Sequence, residues 1–134
     1  MRVRIIPLTL LVALAVSACG AAAGASRGGV RASGQTLTMG ASMFVGVTTF
    51  TLHAGQAITL DDPATSGGTH NLVTGTDGLF APAPGAPSAL SSSAGIDFQP
   101  GDKQIVTFAQ PGTYHVTCTI HPMMQATITV TCAA

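Results

Sequence analysis

The C-terminal stretch of the sequence, residues 112–130, constrains the fold and the chemistry more than any other part of the chain. It reads GTYHVTCTIHPMMQATITV and brings Cys118, His121 and Met124 together within seven residues, between two runs in which apolar and polar side chains alternate. Alternation with a period of two is typical of half-buried β-strands. The stretch therefore predicts two antiparallel strands joined by a short loop that carries a thiol, an imidazole and a thioether.

These side chains indicate a metal site. Soft sulfur ligands combined with imidazole select copper or zinc, and two His, one Cys and a weak axial Met describe a blue-copper electron-transfer centre. Zinc is disfavoured because a thioether contributes little to zinc sites. The loop lacks a second imidazole, for which His70 is the simplest candidate because it follows a Gly-rich turn and enters a predicted strand. The alternative for His70 is a structural histidine.

The three cysteines have different predicted roles. A disulfide between Cys118 and Cys132 is the alternative to a ligand role for Cys118. If the two strands pair across the loop, however, Cys132 lies roughly 20 Å away at about 3.3 Å per residue, beyond the Cα separation of about 7 Å that a disulfide tolerates. Cys132 continues the inward row of Ile128 and Val130, which predicts a buried free thiol, with dimerisation through it as a minor alternative.

The N-terminus predicts export. Residues 1–18 read as a secretory signal, because two arginines precede an apolar run too short to span a bilayer comfortably. The run ends in Val-Ser-Ala before Cys19 and resembles a bacterial lipobox, in which Cys19 carries the lipid. The alternative is ordinary cleavage after a small residue such as Ala23. Both routes place the mature protein outside the cytoplasm, at the extracytoplasmic face of the cell membrane or in the periplasm.

The rest of the chain divides into a tether and one domain. Residues 19–34 are rich in Gly, Ala and Ser, which predicts a flexible tether. Residues 35–134 suffice for one small core. This domain has no Glu and much Thr, Val and Gly, and its seven or eight short candidate strands predict an all-β sandwich or barrel. Residues 75–101 contain four prolines and form a long loop, which predicts a functional or mobile segment.

Charge is scarce in this sequence. The chain carries five basic and five acidic residues, 7% of its length. The absence of a basic patch argues against a nucleic-acid partner. Docking of a protein partner should therefore depend only weakly on salt concentration.

Several segments together resemble the cupredoxins, or type 1 blue-copper proteins. The similarity covers nearly all of residues 35–134: an early FTLHAGQAITL stretch, a His-Asn pair, a Pro-Gly-Asp turn before a strand, and PGTYHVTCTIHPMM. The Cys-x-x-His-x-x-Met spacing is similar to that of the amicyanins, and the chain departs from the usual pattern at His53, where such proteins often have Pro. The resemblance implies a Greek-key β-sandwich of seven or eight strands that binds one copper ion.

The resemblance also implies roles for individual residues. It gives the strong ligands as His70, Cys118 and His121. Met124 would be the weak axial ligand, with Met123 as the alternative. Asn71 would hydrogen-bond across to the ligand loop near Thr119. His53 and His115 are predicted bystanders, His115 because it faces away from Cys118 on its strand.

The function that the resemblance implies is electron transfer. A monomer that is not an enzyme would pass single electrons between redox partners such as a cytochrome or an oxidase, held at the membrane by its lipid. One alternative is a copper-binding or storage protein with no redox partner. Another is a copper enzyme, which needs an open coordination position or a second metal, and the sequence offers no further His cluster for one.

Overall fold

The computed structural model describes Cys19 and residues 30–133. The predicted signal segment and most of the tether lie outside the described residues. Within them the regular structure is all β, in ten strands: β1 (Arg31–Met39), β2 (Phe44–Val45), β3 (Thr49–His53), β4 (Gln56–Asp61), β5 (His70–Thr76), β6 (Leu79–Phe80), β7 (Ile96–Phe98), β8 (Lys103–Phe108), β9 (Gly112–Cys118) and β10 (Gln125–Thr131). No helix in this part of the chain is long and apolar enough to cross a membrane.

The strands form two sheets packed face to face. One has the order β2-β1-β4-β8, and the other has the order β3-β10-β9-β5-β6, with β7 also paired to β5. The core between them is made of fully buried apolar side chains, among them Leu37, Ile58, Leu60, Leu72, Val116 and Ile128. The predicted all-β sandwich is confirmed. It has more strands than the seven or eight predicted, because the short strands β2, β6 and β7 add to the pairing.

The two C-terminal strands follow their sequence pattern. In β9, Tyr114, Val116 and Cys118 are buried, whereas His115 is exposed. The strand pairs antiparallel with β10, in a register that sets Thr117 opposite Gln125. Because the side chains alternate, this register turns the apolar rows of both strands towards the core. It also leaves a short loop at one end of the sandwich, between Cys118 and Gln125.

The segment predicted as a long loop, residues 75–101, contains strands that pair with the sandwich and a side chain buried in its core. Asp77 and Gly78 have positive φ angles of 54° and 75° and form a two-residue connection between β5 and β6, with Thr76 paired to Leu79. Positive φ at both central residues defines a type I′ hairpin turn, which Asp-Gly favours. Leu90, from the same segment, is fully buried. The segment thus supplies two strands and part of the core.

The prediction of a buried free thiol at Cys132 is wrong. Cys132 is exposed and forms a disulfide with Cys19. Strand β10 ends at Thr131, so the inward alternation stops one residue before the cysteine, and its side chain lies beyond the core. Cys118 is free and buried, in agreement with the argument that Cys132 is too distant to reach it.

The disulfide bears on the predicted lipid. The sulfur of Cys19 cannot carry a thioether-linked lipid and a bond to Cys132 at the same time, so the two forms of the chain exclude each other. In the form that the structure describes, Cys19 is oxidised. Lipidation of Cys19 stays a prediction for a form in which Cys132 has no such partner.

Candidate metal centre

Three ligand-type side chains converge at one end of the sandwich. His70 is the first residue of β5 and Cys118 the last of β9, and the strands are neighbours, with Leu72 paired to Cys118. His121 follows three residues later in the loop between β9 and β10. Sheet pairing therefore brings together a histidine and a cysteine that are 48 residues apart in the sequence.

The spacing of these three groups fits a single metal ion. The Sγ of Cys118 lies 3.9 Å from Nδ1 of His70 and 3.9 Å from Nδ1 of His121, and all three ligand atoms lie within 4.8 Å of one another. Metal–nitrogen and metal–sulfur bonds of about 2.0–2.3 Å, set about 120° apart in a trigonal arrangement, separate neighbouring ligand atoms by roughly 3.7 Å. The donor set of two imidazoles and a thiol is that of a type 1 copper site.

His70 is enclosed by protein. Its side chain is only 1% exposed, and this burial lowers the pKa of His70 below its usual value, an effect that the nearby carboxylate of Asp62 opposes. The neighbouring His121 lowers this pKa further, and the backbone of Gly40 raises it. The neutral imidazole, which is the form that binds a metal, is thus favoured at His70.

His121 lies closer to the solvent. It is only partly buried, and its ring centroid lies 5.1 Å from that of His70. The loop that carries it is closed by backbone hydrogen bonds: the amide of Met124 donates to the carbonyl of His121 over 2.9 Å, and the amide of Cys118 donates to the carbonyl of Met124 over 3.2 Å. His121 is therefore the most exposed of the three ligand candidates.

The two methionines of the loop have opposite environments. Met124 is fully buried, whereas Met123 is 76% exposed. Met124 also exchanges backbone hydrogen bonds with both Cys118 and His121. Met124 is therefore the methionine of this loop that lies inside the protein, next to Cys118 and His121.

Asn71 ties the ligand loop to the strand that carries His70. The hydroxyl of Thr119 donates to Oδ1 of Asn71 and the amide of Thr119 donates to the carbonyl of Asn71, both over 2.9 Å. The side-chain nitrogen of Asn71 donates in turn to the carbonyl of Ala94 and to Asp97, over 2.7 and 2.8 Å. These hydrogen bonds connect the strand that carries His70 with the loop that carries His121.

The hairpin turn between β5 and β6 supports the ligand loop from its other side. The amide of Gly78 donates to the hydroxyl of Thr117 over 2.9 Å, and the amide group of Gln125 donates to the carboxylate of Asp77 over 2.8 Å. Gly78 packs so closely on the loop that an added Cβ would lie 2.9 Å from the ring of Pro122. The sequence reasoning missed this support, although the Asp-Gly pair at 77–78 is a signal for such a turn.

Two histidines remain outside the site. His53 and His115 are both exposed, and neither belongs to the cluster of ligand-type residues. His115 lies beside the hydroxyl of Thr127 on the outer face of its sheet.

Sequence reasoning also missed Asp62, a fully buried carboxylate whose Oδ1 lies 3.9 Å from Nε2 of His70. No sequence pattern distinguishes it from the partly exposed Asp61.

A shallow apolar groove surrounds His121. Its volume is about 320 Å³, and it is lined by Ser42, Met43, Ile120, His121, Pro122 and Met123. Met43 and Ile120 are 59% and 51% exposed, and none of the lining residues other than His121 is ionisable. The metal centre thus lies beneath an uncharged apolar surface.

The sequence profile of the copper-binding proteins of the plastocyanin/azurin family matches residues 32–131. The chain is a cupredoxin. The match runs from the second residue of β1 to the end of β10 and includes all three clustered ligand candidates. This cupredoxin accordingly takes one copper ion, for which His70, Cys118 and His121 are the candidate ligands.

Solved structures with the same fold include amicyanins. A reduced Cu(I) form of an amicyanin variant at pH 4 is 18% identical, with a TM-score of 0.54 over 72% of this chain and 81% of that one. The amicyanin of Paracoccus versutus is 17% identical, with a TM-score of 0.51 over 72% of this chain and 80% of that one. At this level of identity the likeness concerns the fold alone. No curated protein sequence matches the chain significantly.

Proposed function

We propose that this cupredoxin is a one-electron carrier that works outside the cytoplasm. The observation that carries the proposal is the convergence of His70, Cys118 and His121 on one point, beneath an apolar surface that exposes only one of them. Copper bound there would supply a Cu(I)/Cu(II) couple. The protein's part is to hold two imidazoles and a thiolate in one arrangement that suits both oxidation states, so that little reorganisation accompanies electron transfer.

The rigidity of the site supports this role. His70 and Cys118 lie on paired strands, Asn71 is hydrogen-bonded to Thr119, and the β5–β6 turn packs on Pro122. A site built on strands and braced by second-layer hydrogen bonds keeps its geometry when the charge of the metal changes. We propose Met124 as the weak axial ligand on the strength of its burial.

The groove around His121 supports docking of a redox protein such as a cytochrome or an oxidase. Electrons would leave through the His121 imidazole, and the exposed side chains of Met43, Ile120 and Met123 would form the contact surface. Leu79, 72% exposed on the neighbouring hairpin, would extend it. Because the groove carries no carboxylate, ammonium or guanidinium group, we expect electrostatic steering to contribute little to the association rate.

The location of the protein is proposed from its N-terminus and its cysteines. A disulfide between Cys19 and Cys132 suits an oxidising compartment, and the signal-like residues 1–18 predict export. Cys132 follows the end of β10 opposite to the ligand loop, so Cys19 is held at the pole away from the metal. Whether Cys19 is oxidised or carries a lipid, the groove would lie at the end of the sandwich away from Cys19. There it would be accessible to the redox partners of a monomeric protein.

A copper-storage protein is the second candidate, because it would use the same ligands. Reversible voltammetry of the copper-loaded protein and its electron self-exchange rate distinguish the two. A carrier has a reversible one-electron wave and rapid exchange between oxidised and reduced molecules. An irreversible wave, or exchange too slow to broaden the resonances of a mixed sample, would contradict the carrier and favour storage. A copper enzyme would need an open coordination position or a second metal, and the ligand cluster of the described residues consists of His70, Cys118 and His121.

A further inference from the structure

Asp62 is the one fully buried carboxylate among the described residues, and it faces a metal ligand. Its side chain is 0% exposed, and neither of its carboxylate oxygens has a hydrogen-bond partner. Nε2 of His70 lies 3.9 Å from its Oδ1. A buried, ionised carboxylate is costly unless it is paired, so its position beside this imidazole requires an explanation.

His70 has a complementary deficit. Its Nδ1 faces Cys118, and its Nε2 is buried without a hydrogen-bond partner. A neutral imidazole that offers Nδ1 to a metal carries its proton on Nε2. Nε2 of His70 is thus a donor without an acceptor, and the Asp62 carboxylate is an acceptor without a donor. Their separation of 3.9 Å exceeds the longest ordinary hydrogen bond, about 3.2 Å, by only about 0.7 Å.

The backbone of Asp62 is fixed from outside the site. Its amide donates to the carbonyl of Asp102 over 2.9 Å, and its carbonyl accepts from the amide of Gly101 over 2.7 Å. Both partners belong to the turn before β8, which is closed by the Asp102 amide donating to the Gln99 carbonyl over 2.9 Å. These hydrogen bonds hold the backbone of Asp62 in place and so fix the position of its carboxylate beside His70.

We propose that Asp62 is a positioning residue of the copper site: its carboxylate accepts the Nε2 proton of His70, fixes the tautomer that leaves Nδ1 for the metal, and favours Cu(II) over Cu(I). This rests on the proposed electron-carrier function. Carboxylate partners of metal-bound imidazoles raise the basicity of the ligand, and their loss costs about 10–100-fold in metal affinity. A more basic ligand stabilises the higher charge of Cu(II) more than that of Cu(I).

The main test is Asp62→Asn, which keeps the shape and removes the charge. We expect at least a tenfold loss of affinity for Cu(II) relative to Cu(I), measured as a rise in midpoint potential of about 59 mV for a one-electron couple. The matched control is Asp61→Asn. Asp61 precedes Asp62 but pairs with Lys103 at the surface, at 3.5 Å, where solvent screens the charge. An equal rise in both variants, or a change in melting temperature alone, would overturn the proposal.

A second measurement uses the metal-free wild-type protein. Nitrogen-15 spectra of the His70 ring should show the Nε2-protonated tautomer, with an Nε2 proton protected from solvent exchange, and Asp62→Asn should shift its resonance. A wild-type ring protonated on Nδ1 would overturn the proposal even if the variant fails to fold. An Nε2 resonance unchanged in the variant would show that Asp62 does not hold this proton and would overturn the proposal too.

The two measurements separate this proposal from the function on which it rests. If the wild-type protein gives no reversible one-electron couple, the carrier function fails. The ring spectra of the metal-free protein still decide whether Asp62 holds the His70 proton.

Discussion

Nδ1 of His70 lies 3.9 Å from Sγ of Cys118, although 48 residues separate them in the sequence. The pairing of β5 with β9 produces this proximity, and it sets the two side chains at one end of the same sheet. The loop between β9 and β10 then needs only three residues to bring His121 to the same distance from the sulfur. The candidate metal centre is therefore a consequence of strand register.

The buried methionine should tune the metal centre. Met124→Leu conserves the volume of the side chain, so it should cost less than about 1.5 kcal/mol of stability, but it removes the thioether. Because the axial ligand tunes the potential of such sites, we expect a tenfold or larger change in the relative affinity for the two oxidation states, about 59 mV. Met123→Leu is the control, and voltammetry should find its potential unchanged. An effect of Met123 that exceeds that of Met124 would contradict the assignment.

The link between Asn71 and the ligand loop should stabilise the fold. Asn71→Ala removes the side-chain hydrogen bonds to Thr119, Ala94 and Asp97, and we expect it to lower the free energy of unfolding by about 1–3 kcal/mol. Thr119→Val removes only one of these bonds and should cost about 1 kcal/mol. Urea unfolding of the metal-free variants measures both. Equal losses in the two variants would show that the bonds to Ala94 and Asp97 contribute nothing.

Alkaline pH should destabilise the sandwich through Tyr114. Burial raises the pKa of Tyr114 above its usual value, and its hydroxyl donates to the carbonyl of Gln110 over 2.9 Å. The unfolded chain loses this proton at about pH 10 and the folded chain only at higher pH. The contribution is therefore complete below about pH 10 and is lost as the pH rises through the folded value.

The variant Tyr114→Phe tests this pH dependence. At neutral pH it should lower the free energy of unfolding by about 1 kcal/mol, for the lost hydrogen bond. Between about pH 10 and 12, the range above the usual tyrosine pKa, its free energy of unfolding should fall less steeply with pH than that of the wild type. Chemical unfolding at a series of pH values measures the slope. Parallel curves for the two proteins would contradict the role of Tyr114.

The groove around His121 should make electron self-exchange insensitive to salt. With no charged group in the groove, we expect the wild-type rate to change by less than about twofold between low and high ionic strength. Met123→Lys places like charges on both molecules of the exchanging pair, so its rate should fall and then recover with added salt. Ile105→Lys, at an exposed position on β8 of the other sheet, is the control. A wild-type rate that falls steeply with salt would refute the uncharged docking surface.

Much of this architecture could be predicted because local pattern and fold agree. The alternation around Cys118 fixed its inward position, and the short spacing to His121 and Met124 fixed the loop. Cys132 could not be predicted in the same way, because alternation says nothing about where a strand ends. The burial of Asp62 could not be predicted either, because it depends on backbone contacts with the distant residues Gly101 and Asp102, which no local pattern encodes. The strands within residues 75–101 were missed among the prolines, although Asp-Gly marked one turn.

The absorption spectrum of the copper-loaded, oxidised protein shows whether Cys118 binds copper as a thiolate between two imidazoles. We expect an intense visible band from thiolate-to-Cu(II) charge transfer, absent in Cys118→Ser and retained in Cys132→Ser. A wild-type protein that binds Cu(II) without this band, or a band that survives in Cys118→Ser, would refute copper binding by the Cys118 thiolate.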